Sequence, residues 1–185
     1  MSKQSPVSGR RQGHPLRPEA PDDLLDAAAG AAAALGTATD EIDEAAADAL
    51  RVNRTDLRIL GLVSTAGAMT AGALAEAARL SPAATTAAIQ RLVATGHLRR
   101  DTDPADRRRA VVTVTTATAE AIDRLYRPIA EAGRRVLIGY TAEELRLIIG
   151  FLQEGRTMQL EQAARIRELS PPVRDPATDH GQRHR

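Results

Sequence analysis

The sequence predicts a mainly helical chain that carries one small antiparallel β-hairpin. Two observations predict the helices. Of 185 residues, 36 are alanine, the strongest helix former, and apolar residues recur at helical spacing through most of the chain. A third predicts the hairpin. Leu98–Thr102 and Val111–Thr115 are β-rich runs on either side of a short, turn-rich basic segment.

The elements follow in order. Residues 1–20 and 170–185 are rich in Pro, Arg, His and Gln without apolar periodicity, and are expected to be flexible tails. Pro21-Asp22-Asp23 opens an alanine-rich helix, with its acids at the positive end of the dipole. It reaches Leu35, where Gly36-Thr37 breaks it or lets it run on to Leu50. Asn53 is the next N-cap, with Asp56 three positions on as in a capping box. Leu57, Leu60 and Val63 give that helix its apolar side, and it stops near Ser64–Gly67. Thr70 caps a short helix over 71–79. Ser81, with Pro82 at the first helical position, caps another that runs to Ala94 and ends at Gly96. Two short helices joined by a tight turn form a helix-turn-helix. With the hairpin behind them the order is that of a winged helix-turn-helix.

Beyond the hairpin, Thr116 or Thr118 is expected to cap a helix through about Gly139, with a kink at Pro128. Thr141-Ala142-Glu143-Glu144 is a capping box. It opens a last helix with Leu145, Leu147, Ile148, Ile149, Phe151, Leu152, Met158, Leu160, Ala164 and Ile166. That is more apolar surface than a terminal helix buries alone, and it predicts a helical interface with a second chain. The expected organisation is a tail (1–20), N-terminal dimerisation helices (21–50), a winged lobe (51–117), C-terminal dimerisation helices (118–169) and a second tail (170–185).

Composition excludes several classes. There is no cysteine, so disulfide scaffolds, thiol enzymes and thiol redox sensors are ruled out. The longest apolar run, Ala27–Leu35, falls far short of the ~20 residues that span a bilayer. The polar N-terminus has no apolar core for an export signal, and the expected location is the cytoplasm, with no membrane partner. His180 and His184 lie in a polar tail beside a glycine and are not expected to bind metal. No phosphate loop or nucleophile–base set is present, so neither an enzyme nor a bound cofactor is expected.

The net charge of +1 conceals segregation. Residues 20–50 carry Asp22, Asp23, Asp26, Asp40, Glu41, Asp43, Glu44 and Asp48 without a single Lys or Arg. Residues 51–109 carry ten Arg against five acids. A basic segment in a near-neutral chain is the footprint of an anionic partner, here double-stranded DNA. The acidic segment is either the solvent face of a dimerisation helix or a mask that touches the basic wing.

On the second short helix, Thr85, Ala88, Ile89 and Leu92 recur at core spacing, while Ala83, Thr86, Ala87, Gln90 and Ala94 fall on the other side. A face of Thr, Ala and Gln suits a major groove, where Gln pairs with adenine and small side chains allow close approach. The residues assigned to DNA on this helix are Ser81, Ala83, Thr85, Thr86, Ala87, Gln90 and Arg91. Thr85 belongs to both sets, and Arg91 is placed to reach a phosphate. Thr70 and Ser81 leave helix N-termini near the backbone. At the hairpin tip, Arg107, Arg108 and Arg109 suit a minor groove, while Asp103 and Asp106 hold the turn and orient the arginines.

Asn53–Leu57, Met69–Ala75, Leu80–Leu92, Gly96–Arg100 and Asp103–Arg109, in that order and spacing, resemble the MarR family of transcriptional regulators from about residue 50 to 118. The flanking helices match in pattern only. The family's wing pattern, Asp-x-Arg-Asp-x-Arg, falls on Asp103, Ala105, Asp106 and Arg108, and Ala105 departs from it, so one ion pair of that pattern is absent. The resemblance implies a homodimer that sets two winged helices on a palindromic operator, with half-sites ~34 Å apart. It implies repression, and a small, often aromatic or phenolic, effector that binds between the dimer helices and the DNA-binding lobe and releases DNA. Two other readings stay open: a winged-helix adaptor that binds protein, and a nonspecific architectural DNA binder.

Overall fold

The computed structural model describes residues 20–102 and 109–169. Their elements are α1 (Asp22–Leu50), α2 (Arg54–Ala66), α3 (Ala71–Ala78), α4 (Pro82–Ala94), β1 (Leu98–Thr102), β2 (Ala110–Val114), α5 (Thr116–Leu137) and α6 (Ala142–Leu169). This is the expected mainly helical chain with a two-stranded antiparallel hairpin. It forms two compact units that divide between Leu125 and Tyr126, inside α5.

In the first unit, α1 does not break at Gly36-Thr37 and runs for 29 residues. A helical glycine costs only about 1 kcal/mol, and the surrounding alanines outweigh it. The threonines here satisfy themselves within the helix: Thr37 Oγ1 donates to Ala33 O at 3.3 Å and Thr39 Oγ1 to Leu35 O at 3.0 Å. The helix ends at Arg51, whose φ of 55° is left-handed. Val52 N–H closes the turn on Ala47 O at 2.9 Å, a Schellman-type stop.

Three side-chain caps set the next helices. Asn53 Oδ1 accepts from Asp56 N at 2.8 Å, Thr70 Oγ1 from Ala73 N at 3.2 Å, and Ser81 Oγ from Ala84 N at 3.2 Å. Gly67 (φ 75°) and Gly96 (φ 77°) end α2 and the turn after α4 in backbone regions that disfavour a side chain. The core is aliphatic. Ile59, Leu60 and Val63 of α2, Leu74 and Ala78 of α3, Ala88, Ile89 and Leu92 of α4, Leu98 of β1 and Val111 and Val112 of β2 are all buried. Only the C-terminal end of α1 joins it, through Ala46, Ala47 and Leu50.

The hairpin register pairs Leu98 with Val114 and Thr102 with Ala110. A third segment extends it, unforeseen in the sequence. Met69 exchanges backbone hydrogen bonds with Val112, at 3.1 and 2.8 Å, and ties the turn before α3 to β2. The cap of α5 is Thr115 rather than Thr116 or Thr118. Its Oγ1 accepts from Thr118 N at 3.4 Å, because Thr115 is the last extended residue and Thr118 is already inside the helix. Pro128 lies within α5.

In the second unit, the capping box at the start of α6 is reciprocal. Thr141 N–H donates to Glu144 Oε2 at 2.8 Å, and Glu144 N–H to Thr141 Oγ1 at 3.3 Å. No residue of the 28-residue α6 is buried. Leu147, Ile149, Phe151, Leu152, Met158 and Ile166 each leave half or more of their surface open.

Candidate nucleic-acid interface

Helix α4 follows α3 across the short turn Arg79–Ser81, and the hairpin follows α4. Thr85, Ala88, Ile89 and Leu92 anchor α4 to the core. This leaves Ser81, Ala83, Thr86, Ala87 and Gln90 exposed along the opposite side. Ser81 stands at the N-terminus of α4 and Thr70 at that of α3, each with its side-chain oxygen occupied by the cap.

One residue assigned to DNA is placed otherwise, and a second is paired within the fold. Thr85 is 1% exposed and its Oγ1 donates to Ser81 O at 3.0 Å. It is a core residue that satisfies its own hydroxyl, and its inward spacing already pointed there. Arg91 is half-exposed, and its guanidinium is paired. Its Nη2 lies 2.8 Å from Asp56 Oδ1 and its Nε 3.2 Å from Asp56 Oδ2. Asp56 is 4% exposed and also accepts from Asn53 Nδ2 at 3.1 Å. A buried carboxylate requires such partners. The bond to Asp56, and then its charge, push the Arg91 guanidinium still further above its ordinary pKa.

At the hairpin, Arg109 is described and exposed. Arg107, Arg108, Asp103 and Asp106 lie outside the described residues, as do the two tails with His180 and His184. Below the tip, the outer face holds a polar ladder that sequence reasoning missed. Thr113 Oγ1 donates to Asp101 Oδ2 at 2.6 Å, and Arg99 reaches both Thr113 Oγ1 (3.0 Å) and Asp101 Oδ2 (3.2 Å). The signal was available: alternate residues of one strand share a face with their cross-strand partner.

His97, between α4 and β1, is half-buried. Its Nδ1 is 3.1 Å from Thr118 Oγ1, while Thr115 Oγ1 donates to Gly96 O at 2.8 Å. These bonds fasten the end of α4 to the first turn of α5. On α1, Asp40 and Asp43 are engaged by Arg54 of α2, at 2.8 and 3.7 Å. Two of the acids considered as a mask for the wing therefore serve as partners of a neighbouring helix. Among the described residues there is no cluster of three metal-ligating side chains and no helix long and apolar enough to cross a membrane.

A core-anchored helix with a small polar outer face, preceded by a tight helical turn and followed by a hairpin, forms a winged helix-turn-helix, the lobe built into many DNA-binding transcriptional regulators. The MarR family model matches residues 52–109, which span the start of α2 to the hairpin. The HTH-type transcriptional regulator YcgE of Bacillus subtilis (strain 168) is 38% identical over 134 residues, covering 72% of this chain and 87% of that protein. The chain belongs to the MarR family. Its fold is shared with RV1404 from Mycobacterium tuberculosis (TM-score 0.55, 19% identity, 77% of this chain and 97% of that one). It is also shared with YusO of Bacillus subtilis (TM-score 0.51, 20% identity, 78% and 99%).

Proposed function

We propose that this regulator is a cytoplasmic repressor that occupies a palindromic operator as a homodimer. Each copy sets α4 in a major groove and its hairpin arginines, Arg107–Arg109, in the adjacent minor groove. Ser81, Ala83, Thr86, Ala87 and Gln90 form the base-facing and phosphate-facing surface, and Thr70 brings a helix N-terminus to the backbone. The observation that carries the dimer is the bare apolar surface of α6, with no buried residue in 28. The end of α5 and the turn after it add to this surface, with Val136, Leu137, Ile138 and Tyr140 exposed. Apolar surface of that extent marks an interaction site, and a second copy covers it symmetrically. A small aromatic or phenolic effector releases the operator by favouring a dimer arrangement that cannot span two half-sites. The chain needs no cofactor and performs no reaction.

Fluorescence anisotropy with the DNA flanking the chain's own gene, against a shuffled duplex at two salt concentrations, tests this reading. Two chains per duplex, preference for the native sequence, and affinity falling by roughly 0.9 log per log salt for each phosphate neutralised are expected. Salt-sensitive binding with no preference would instead mark an architectural protein. No binding at low salt would mark an adaptor for another protein.

A further inference from the structure

The polar groups of α4 are mostly already engaged. Thr85 is buried. Thr86 Oγ1 donates its single proton to Pro82 O at 2.9 Å, leaving a methyl group and an oxygen that can only accept. Arg91 is turned back onto Asp56 through two of its nitrogens. What the outer face still offers is methyl groups, from Ala83, Thr86 and Ala87, and one carboxamide, Gln90. All four residues are exposed. Gln90 lies four residues after Thr86 and three after Ala87, so the three are neighbours on one helix surface.

Each base pair shows a distinct pattern in the major groove. Guanine is read by a bidentate Arg or Lys on O6 and N7, adenine by a bidentate Asn or Gln on N6 and N7, and thymine by apolar contact with its C5-methyl. The one guanidinium of α4, Arg91, is already committed to Asp56 through Nε and Nη2. The outer face has one carboxamide for adenine and a methyl-bearing surface for thymine, and the Thr86 oxygen suits an amino group rather than a guanine acceptor.

We propose that α4 is an A·T reader. Gln90 pairs with one adenine, and the Ala83, Thr86 and Ala87 methyls pack against thymine methyls, so the half-site core is specified by A·T pairs and guanine is not read there. The proposal rests on the operator reading above and adds to it the chemistry of the bases recognised.

The experiment begins with full-length protein enriching duplexes from a pool with a random central stretch. The enriched duplex is then rebuilt twice, with deoxyuridine for thymine and with 7-deazaguanine for guanine. Deoxyuridine is expected to weaken binding by about fourfold for each contacted methyl, and 7-deazaguanine to leave it unchanged. Gln90→Ala, at an exposed position, is expected to keep the parent melting temperature. It should lose roughly tenfold in affinity and its adenine preference at one position per half-site. Equal binding to the deoxyuridine duplex, or a loss with 7-deazaguanine, overturns the A·T reading while leaving the operator reading intact. Failure to enrich any sequence overturns both.

Discussion

Arg91 of α4 and Asp56 of α2 form a two-point ion pair, 2.8 and 3.2 Å, between a half-exposed guanidinium and a carboxylate that is almost wholly buried. The same Asp56 supplies the N–H that Asn53 accepts and takes a bond from the Asn53 amide. Asp56 thus partners the Asn53 cap of α2 and ties α2 to α4.

Breaking the pair from either side has unequal consequences. Arg91→Ala leaves the buried Asp56 carboxylate with only the Asn53 amide as a side-chain partner and is expected to lower the urea midpoint. Asp56→Ala removes the buried charge and leaves an arginine that can turn to water, but it also loses the N3 partner of the cap. Urea denaturation of both single variants and the double variant measures the coupling. A favourable coupling is expected, and strict additivity would show that the pair contributes nothing.

Thr118, buried at 4%, joins His97 and Thr115 at the junction of α4 with α5. Thr118→Val keeps the shape and deletes the hydroxyl. With His97 left short of a partner, a loss of about 1–2 kcal/mol is expected, read as a lower urea midpoint at unchanged slope. Thr118→Ser, which keeps the hydroxyl, should restore most of it.

The α6 capping box makes helix stability pH-dependent. Bonds from the Thr141 N–H and hydroxyl hold the Glu144 carboxyl below its ordinary pKa. The stabilisation is therefore complete above the ordinary glutamate range and is lost as pH falls through the lowered value. The melting temperature of the parent should exceed that of Glu144→Ala at neutral pH. The gap should close in acid, and a gap independent of pH would deny the carboxylate its role.

If a second copy covers α6, charge on its exposed apolar residues must prevent assembly. Phe151→Glu and Leu152→Glu, both more than half exposed in a single chain, should leave the fold intact. They should shift the mass in multi-angle light scattering from dimer to monomer. Operator affinity should then fall steeply, because each copy holds only one half-site. An unchanged mass in the double variant would place the interface elsewhere.

Local features were legible in the sequence because they are settled within four residues. Asn53, Thr70, Ser81 and Thr141 cap as their spacing indicates, and the hairpin runs stand out by their β-rich composition. The inward set Ala88, Ile89 and Leu92 follows from helical periodicity. The length of α1 was not legible, since Gly36 reads locally as a break and only the sum of its alanine neighbours decides otherwise. Nor was the fate of the polar side chains on α4. Whether Arg91 faces a phosphate or a carboxylate depends on Asp56, 35 positions away. The Met69–Val112 bridge is likewise a meeting of distant segments. Capping and periodicity are written into neighbouring residues. The partners of a charge, and so the chemistry a surface has left to offer, are settled only when packing brings distant elements together.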